Sequence, residues 1–176
     1  ETLGAGVGLK LKAVDEVGSK TSDPKQEKTS DQKEEQYSDL REVRSGKLSR
    51  NLETIMKDEI RDGKFEVVAK KNIVTLRFPE KVTFSSGEAN LRHDIQPILD
   101  RIAAIISNTT AQDKIVITGH TDSVPISNLR FRSNWDLSAA RAVSVVHHIL
   151  KNKYIDKKRV LAVGSADANP LANNDN

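Results

Sequence analysis

Apolar residues alternate with polar ones over short stretches in the second half of the chain. Val74, Leu76 and Phe78 alternate with Ile73, Thr75 and Arg77, as a half-buried strand requires. Lys70-Lys71-Asn72 can form the turn of a hairpin that precedes this strand. Four segments are predicted to be strands on this basis or as short apolar runs: residues 64–69, 72–78, 113–119 and 159–163.

Two longer segments instead repeat their apolar residues with a helical period: residues 91–106 and 134–151. Pro97 is compatible with the first helix if Asp94 caps it, because Pro97 then lies in the first turn. Ser133 and Asp136 resemble a capping box at the start of the second helix. The predicted order is β-β-α-β-α-β, an α+β sandwich of a small mixed sheet with helices packed on one face.

The first part of the chain has a different character. Residues 18–36 contain no aliphatic or aromatic side chain, so we expect them to be disordered. Residues 1–17 are mixed. Their Gly-x-Gly-x-Gly follows no strand and opens no βαβ unit, so it does not indicate a nucleotide site. We therefore interpret residues 1–37 as a flexible linker that is mostly disordered.

A third helical pattern follows this linker. Leu48, Leu52, Ile55, Met56 and Ile60 lie on one stripe, and Asp62-Gly63 ends the pattern. We predict a linker helix over residues 38–62, which packs either on the following domain or on a second copy of itself. Residues 63–176 are predicted to form the folded domain.

Composition narrows the possible functions. Of the 176 residues 36% are hydrophobic and 30% charged, which fits a core of ~100–120 residues with a solvated remainder. The net charge is +3 and aromatic residues are 4%, so nucleic-acid binding has little support. The absence of cysteine excludes disulfides and thiolate chemistry. No run approaches the ~20 apolar residues of a membrane span.

One stretch carries the candidate chemistry. The strand at residues 113–119 leads into His120, Thr121 and Asp122, and a loop then leads to a helix that carries Arg141. Asp122 and Arg141 can face one cleft and hold a zwitterion, the carboxylate taking an ammonium and the guanidinium a carboxylate. From the residues alone, a structural ion pair or a turn-capping Asp122 remains open. His120 and Asp122 could be two metal ligands, but no third ligand is evident, so we predict neither a metal nor a cofactor.

The same residues resemble the OmpA-like peptidoglycan-binding domain over roughly residues 64–171. The motif is Thr118-Gly119-His120-Thr121-Asp122, followed by Asn134-x-x-Leu137-Ser138-x-x-Arg141-Ala142. Asp122-x-x-Pro125 and Phe131-x-Ser133-Asn134-Trp135 are more similar to one branch, the flagellar-motor stator B subunit (MotB/PomB type).

This resemblance implies the residues that bind. Asp122 and Arg141 would hold the diaminopimelate of the peptidoglycan stem peptide. Asn134 would join them or serve as the helix cap, two roles that are compatible. Thr121, Leu137 and Ser138 would line the cleft through backbone groups. Trp135 is expected to pack across the loop 123–133, with stacking on a sugar as the alternative.

The resemblance also implies a biological setting. The chain would be the periplasmic fragment of a single-pass inner-membrane protein, truncated at its C-terminus. It would be a non-catalytic anchor that acts as a homodimer with the stator A subunit (MotA/PomA type). Two rivals are an OmpA-like tether of an outer-membrane protein or lipoprotein, and a metal-dependent hydrolase built on His120 and Asp122.

Overall fold

A five-stranded mixed sheet organises the protein. The computed structural model describes residues 6–12, 27–109 and 113–168. Its strands are β1 (Gly6–Lys12), β2 (Glu66–Lys70), β3 (Ile73–Pro79), β4 (Lys114–His120) and β5 (Val160–Gly164), in the spatial order β2-β3-β1-β4-β5. All neighbouring pairs are antiparallel except β4 and β5, which are parallel. The α+β fold class and the four predicted strands are confirmed.

Strand β1 corrects our interpretation of the N-terminal segment. Gly6–Lys12 is the central strand, and it pairs with both β3 and β4. Val7, Leu9 and Leu11 point into the core while Lys10 and Lys12 are exposed, so this strand has the alternation of a half-buried strand. A flexible linker over residues 1–37 is therefore wrong for Gly6–Lys12.

The helices are α1 (Glu27–Ile55), α2 (Lys57–Arg61), α3 (Glu80–Thr83), α4 (Gln96–Ser107) and α5 (Asn134–Ile149), with a 3₁₀ turn at Lys157–Arg159. Helix α1 begins at Glu27, so the disorder predicted for residues 18–36 is wrong from Glu27 onward. Lys, Glu and Gln are good helix formers, and a helix that is packed farther along can extend through them. The remaining parts of residues 1–37 lie outside the described residues. None of the described helices is long and apolar enough to cross a membrane.

One face of the sheet carries the core. Apolar residues of β1, β3 and β4 pack against α4, α5 and the second half of α1. Leu52 and Met56, from the predicted linker helix, are fully buried in this core. The apolar stripe was predicted to pack either on the following domain or on a second copy of itself. In the structure it packs on the domain.

Both predicted helix caps need correction. Ile95 lies at the N-cap position of α4, one residue after Asp94, although Pro97 does lie in the first turn. Ser133 has the extended backbone of an N-cap of α5, yet its side chain makes no capping hydrogen bond to the described backbone. The Asp136 carboxylate accepts instead from the Arg132 amide, at 3.1 Å. An ion pair with Arg132 thus replaces the expected capping box.

Candidate functional site

The candidate site lies where the end of β4 meets the first turns of α5. Gly119 permits this close approach, because a Cβ at Gly119 would lie 2.0 Å from the carbonyl oxygen of Ser138. Gly164 does the same in the neighbouring strand, where a Cβ would lie 2.9 Å from Ala139. The residues that follow β4 are therefore held beside the start of α5.

Hydrogen bonds join the end of β4, helix α5 and the turn after β5. The Thr121 amide donates to the Ala166 carbonyl at 3.0 Å, and the Ala166 amide donates to Ser138 Oγ at 3.1 Å. Ser138 Oγ in turn donates to the Trp135 carbonyl at 3.0 Å. The Thr121 side chain is buried, and its Oγ1 has no hydrogen-bond partner among the described residues. Three segments far apart in sequence thus form one rigid wall with a buried hydroxyl.

Asn134 fixes the turn that carries Asp122. Its Nδ2 donates to the carbonyl oxygens of Asp122, at 3.2 Å, and of Val124, at 3.0 Å. Asp122 Oδ1 accepts from the Val124 amide at 3.2 Å, which closes an Asx turn. The Asp122 side chain nevertheless remains exposed. A fixed backbone therefore presents a carboxylate to solvent.

Arg141 is 0% exposed and is held from several sides. Its Nε donates to the Glu88 carbonyl at 2.9 Å, and its Nη2 donates to the Glu80 carboxylate. The guanidinium carbon lies 5.1 Å from the centre of the Phe84 ring, a cation–π contact. Nη1 is buried and has no hydrogen-bond partner in the described parts of the chain. The fully buried guanidinium thus keeps one donor nitrogen unused.

Asp122 directly follows β4 and Arg141 lies on α5, which packs against β4, but the structure does not pair the two side chains. The described hydrogen bonds and ion pairs of Arg141 go to Glu80 and Glu88, not to Asp122. Sequence reasoning missed both glutamates because they precede Arg141 by 61 and 53 residues. A local motif contains no signal for such distant partners.

The loop 123–133 is anchored differently from our prediction. Trp135 is 56% exposed, so it does not pack across the loop. Phe131 packs instead in a small cluster with Ala89 and Leu137, which buries the Leu137 side chain. Arg130 adds an ion pair with Glu88 at 2.7 Å.

Asp136 ties the end of this loop to α5. The Arg132 side chain donates to Asp136 Oδ2 at 2.9 Å. Hydrogen bonds from the side chain and the backbone of Arg132 lower the pKa of Asp136, and Asp136 in turn raises the pKa of Arg132. The contact with Arg132 therefore favours the ionised form of Asp136.

The geometry does not support a metal site built on His120 and Asp122. Within residues 6–12, 27–109 and 113–168, no group of three or more His, Asp or Glu side chains is placed to hold a metal ion. His120 and Asp122 therefore have no third ligand in this part of the chain.

Comparison with known proteins agrees with the site's motif. Residues 83–176 match the OmpA family. Motility protein B of Bacillus subtilis is 30% identical over 70% of this chain and 47% of its own length. A solved MotB-like protein from Desulfovibrio vulgaris is 26% identical, with a TM-score of 0.69 over 80% of this chain and 86% of its own.

A second solved structure comes from another system. The cell wall anchor of the T6SS from Pseudomonas aeruginosa is 31% identical, with a TM-score of 0.62 over 71% of this chain and 85% of its own. The chain spans about half the length of the curated relatives it matches, 54% and 47% in two cases. The family match covers more than half of the chain and includes every predicted binding residue, and the chain belongs to the OmpA family.

Proposed function

We propose that this chain anchors a flagellar motor stator to the cell wall by binding the diaminopimelate of the peptidoglycan stem peptide. Asp122 would accept the ligand ammonium, and Arg141 would donate to the ligand carboxylate. Asn134, Thr121, Leu137 and Ser138 would shape the site around them. No bond is made or broken in this role, so the domain is not an enzyme.

One observation carries this proposal. A fixed, exposed Asp122 carboxylate lies at the same junction as two buried polar atoms, Thr121 Oγ1 and Arg141 Nη1, which lack partners among the described residues. A buried polar atom without a partner costs about 1–3 kcal/mol, so a ligand that supplies an acceptor recovers that energy. Unused donors beside a carboxylate match an amino-acid zwitterion.

The motor assignment rests on the relatives. Two of the similar proteins described above are Motility protein B of Bacillus subtilis and a MotB-like protein. By this likeness the domain would lie in the periplasm, joined to an inner-membrane segment. It would act as a homodimer with the stator A subunit. Wall binding would then keep the stator in place while ion flow turns the rotor.

A second candidate is a wall tether that serves a system other than the motor. The likeness to a T6SS cell wall anchor favours this alternative, because that structure has a higher identity than the MotB-like one. Both candidates share the same wall-binding site and differ only in the assembly that is anchored to the wall.

Sedimentation with purified peptidoglycan tests the shared step. The wild-type chain should sediment, and Asp122→Ala should lose about tenfold or more in affinity, since a charged hydrogen bond contributes ~1.5–3 kcal/mol. Asp39→Ala, which removes an exposed carboxylate on α1, is the matched control and should bind as wild type does. Equal sedimentation of the Asp122 variant and wild type would refute the site.

A motility assay distinguishes a motor stator from another anchored assembly. In the source bacterium, the full-length protein with Asp122→Ala should leave cells flagellated but poorly motile in soft agar. Normal swimming, together with lost wall binding in vitro, would favour the non-motor tether.

A further inference from the structure

The way Arg141 is occupied leads to a further inference, which rests on the proposed function. Its Nη2 donates to the Glu80 carboxylate and its Nε to a backbone carbonyl. A guanidinium offers two edges on which a carboxylate can bind with both oxygens, Nε with Nη2 and Nη1 with Nη2. Nε already donates to Glu88, so the open edge is Nη1 with Nη2, and a carboxylate that binds there must share Nη2 with Glu80 or displace it.

Sharing is unfavourable in this environment. A second carboxylate on Nη2 would lie within a few ångströms of Glu80, and two like charges at that distance repel strongly where water is excluded. Arg141 is also 0% exposed, so a ligand reaches it only if a covering group moves. Displacement of Glu80 removes the repulsion and frees Nη2 for the ligand.

We propose that Glu80 is an internal substitute for the ligand carboxylate, which occupies Arg141 in the unbound domain and is exchanged for the ligand on binding. Arg141 then carries a negative partner in both states, so the domain never contains an unpaired buried charge, which would be costly. The unused Nη1 donor becomes the second contact of the incoming carboxylate.

Glu80 is placed so that it can leave. Its side chain is 23% exposed, so the released carboxylate can be hydrated. It is the first residue of the four-residue helix α3, directly after β3. The Glu88 contact comes from a backbone carbonyl, while the Glu88 side chain pairs with Arg130. Glu80 can therefore rotate away without breaking the rest of the contacts around Arg141.

This exchange determines specificity. Only a ligand group with a full negative charge competes with Glu80 for the guanidinium, so an amide in the same position binds poorly. The internal carboxylate thus selects free diaminopimelate over its amidated form. It also lowers the affinity of every ligand by the cost of its own release.

Two isosteric variants test this role. Calorimetric titration with a soluble diaminopimelate-containing stem peptide would compare wild type, Glu80→Gln and Glu35→Gln. Gln at position 80 can still accept from Nη2 but without charge, so the peptide should bind roughly fivefold more tightly. Glu35→Gln removes an equal charge from an exposed position on α1 that makes no described contact with Arg141, so its affinity should stay within about twofold of wild type.

The outcomes are distinct. Equal or weaker binding by Glu80→Gln, with wild type binding normally, overturns the exchange and leaves the proposed function intact. Binding by neither protein overturns the proposed function itself. Tighter binding confined to the position-80 variant supports the exchange.

A second measurement needs no variant that might unfold. Side-chain carboxyl ¹³C NMR of the wild-type chain should show the Glu80 signal shift on addition of the peptide, while the Glu88 signal stays in place. An unchanged Glu80 signal at saturating peptide would overturn the exchange.

Discussion

Replacing Gly119 by alanine should strongly destabilise the domain and disturb the candidate site together. The added Cβ would lie 2.0 Å from the Ser138 carbonyl oxygen and 2.8 Å from its carbonyl carbon. Real Cβ atoms do not approach other atoms so closely, and a backbone carbonyl in a helix cannot rotate away. Helix α5 or strand β4 must therefore move as a unit.

The size of the effect follows from this geometry. Overpacking of a well-packed interior costs typically 1–3 kcal/mol, and a backbone clash belongs at or above the upper end. We expect a loss of about 3 kcal/mol or more, which lowers the melting temperature by roughly 6–12 °C in a chain of this size. Urea unfolding followed by far-UV circular dichroism measures this loss directly.

Gly46 provides a matched control for the same substitution. It lies inside α1, where an added Cβ would meet only the flexible end of Arg50 at 3.6 Å. Gly46→Ala should stabilise the protein by roughly 0.5–1 kcal/mol, because glycine is a poor helix residue. If Gly119→Ala unfolded at the same urea concentration as wild type, the close approach of β4 and α5 would be wrong.

Four further predictions follow from the contacts. Arg141→Ala should cost about 3–5 kcal/mol in urea unfolding, because it removes a large, fully buried side chain together with its contacts to Glu88 and Phe84. Leu52→Ala should cost a similar ~3–5 kcal/mol if this part of α1 belongs to the core. The pKa of Asp136 is lowered, so its contact stabilises the fold above the ordinary pKa of about 3.9 and is lost as the pH falls through the lowered value. Asp136→Asn should therefore reduce the melting temperature at about pH 7, and the reduction should shrink as the pH falls below the ordinary pKa of an Asp. The fluorescence of Trp135, which is half exposed beside the site, should change when the stem peptide is added.

The parts of the fold that were predictable have local causes. Strands β2 and β3, their two-residue turn, and helices α4 and α5 follow from alternation, helical period and turn residues. Strand β1 shows the same alternation at Leu9 and Leu11, but its partners lie more than 60 residues away in β3 and more than 100 away in β4. The local sequence of a short glycine-containing strand is too weak a signal to predict that it pairs with two strands so far away along the chain.

The site shows the same division. Family motifs indicated Asp122, Asn134 and Arg141. The structure joins Asn134 to the Asp122 backbone and holds Arg141 farther along α5, against Glu80 and Glu88. The pairing of Arg141 with Glu80 depends on tertiary contact, so no spacing rule could predict it. The sequence predicts that Trp135 packs across the loop, but the structure buries Phe131 instead. The size of an aromatic side chain does not reveal which of two neighbouring aromatic residues faces the interior.

The most direct test of the account compares two cell walls that differ in one carboxylate. Peptidoglycan with diaminopimelate in the stem peptide offers both an ammonium for Asp122 and a carboxylate for Arg141. Peptidoglycan with lysine in that position lacks the side-chain carboxylate. The wild-type chain should bind the diaminopimelate wall about tenfold or more tightly in a sedimentation assay, because the lysine wall forfeits the charged hydrogen bonds to Arg141. Equal binding to both walls would contradict the zwitterion site.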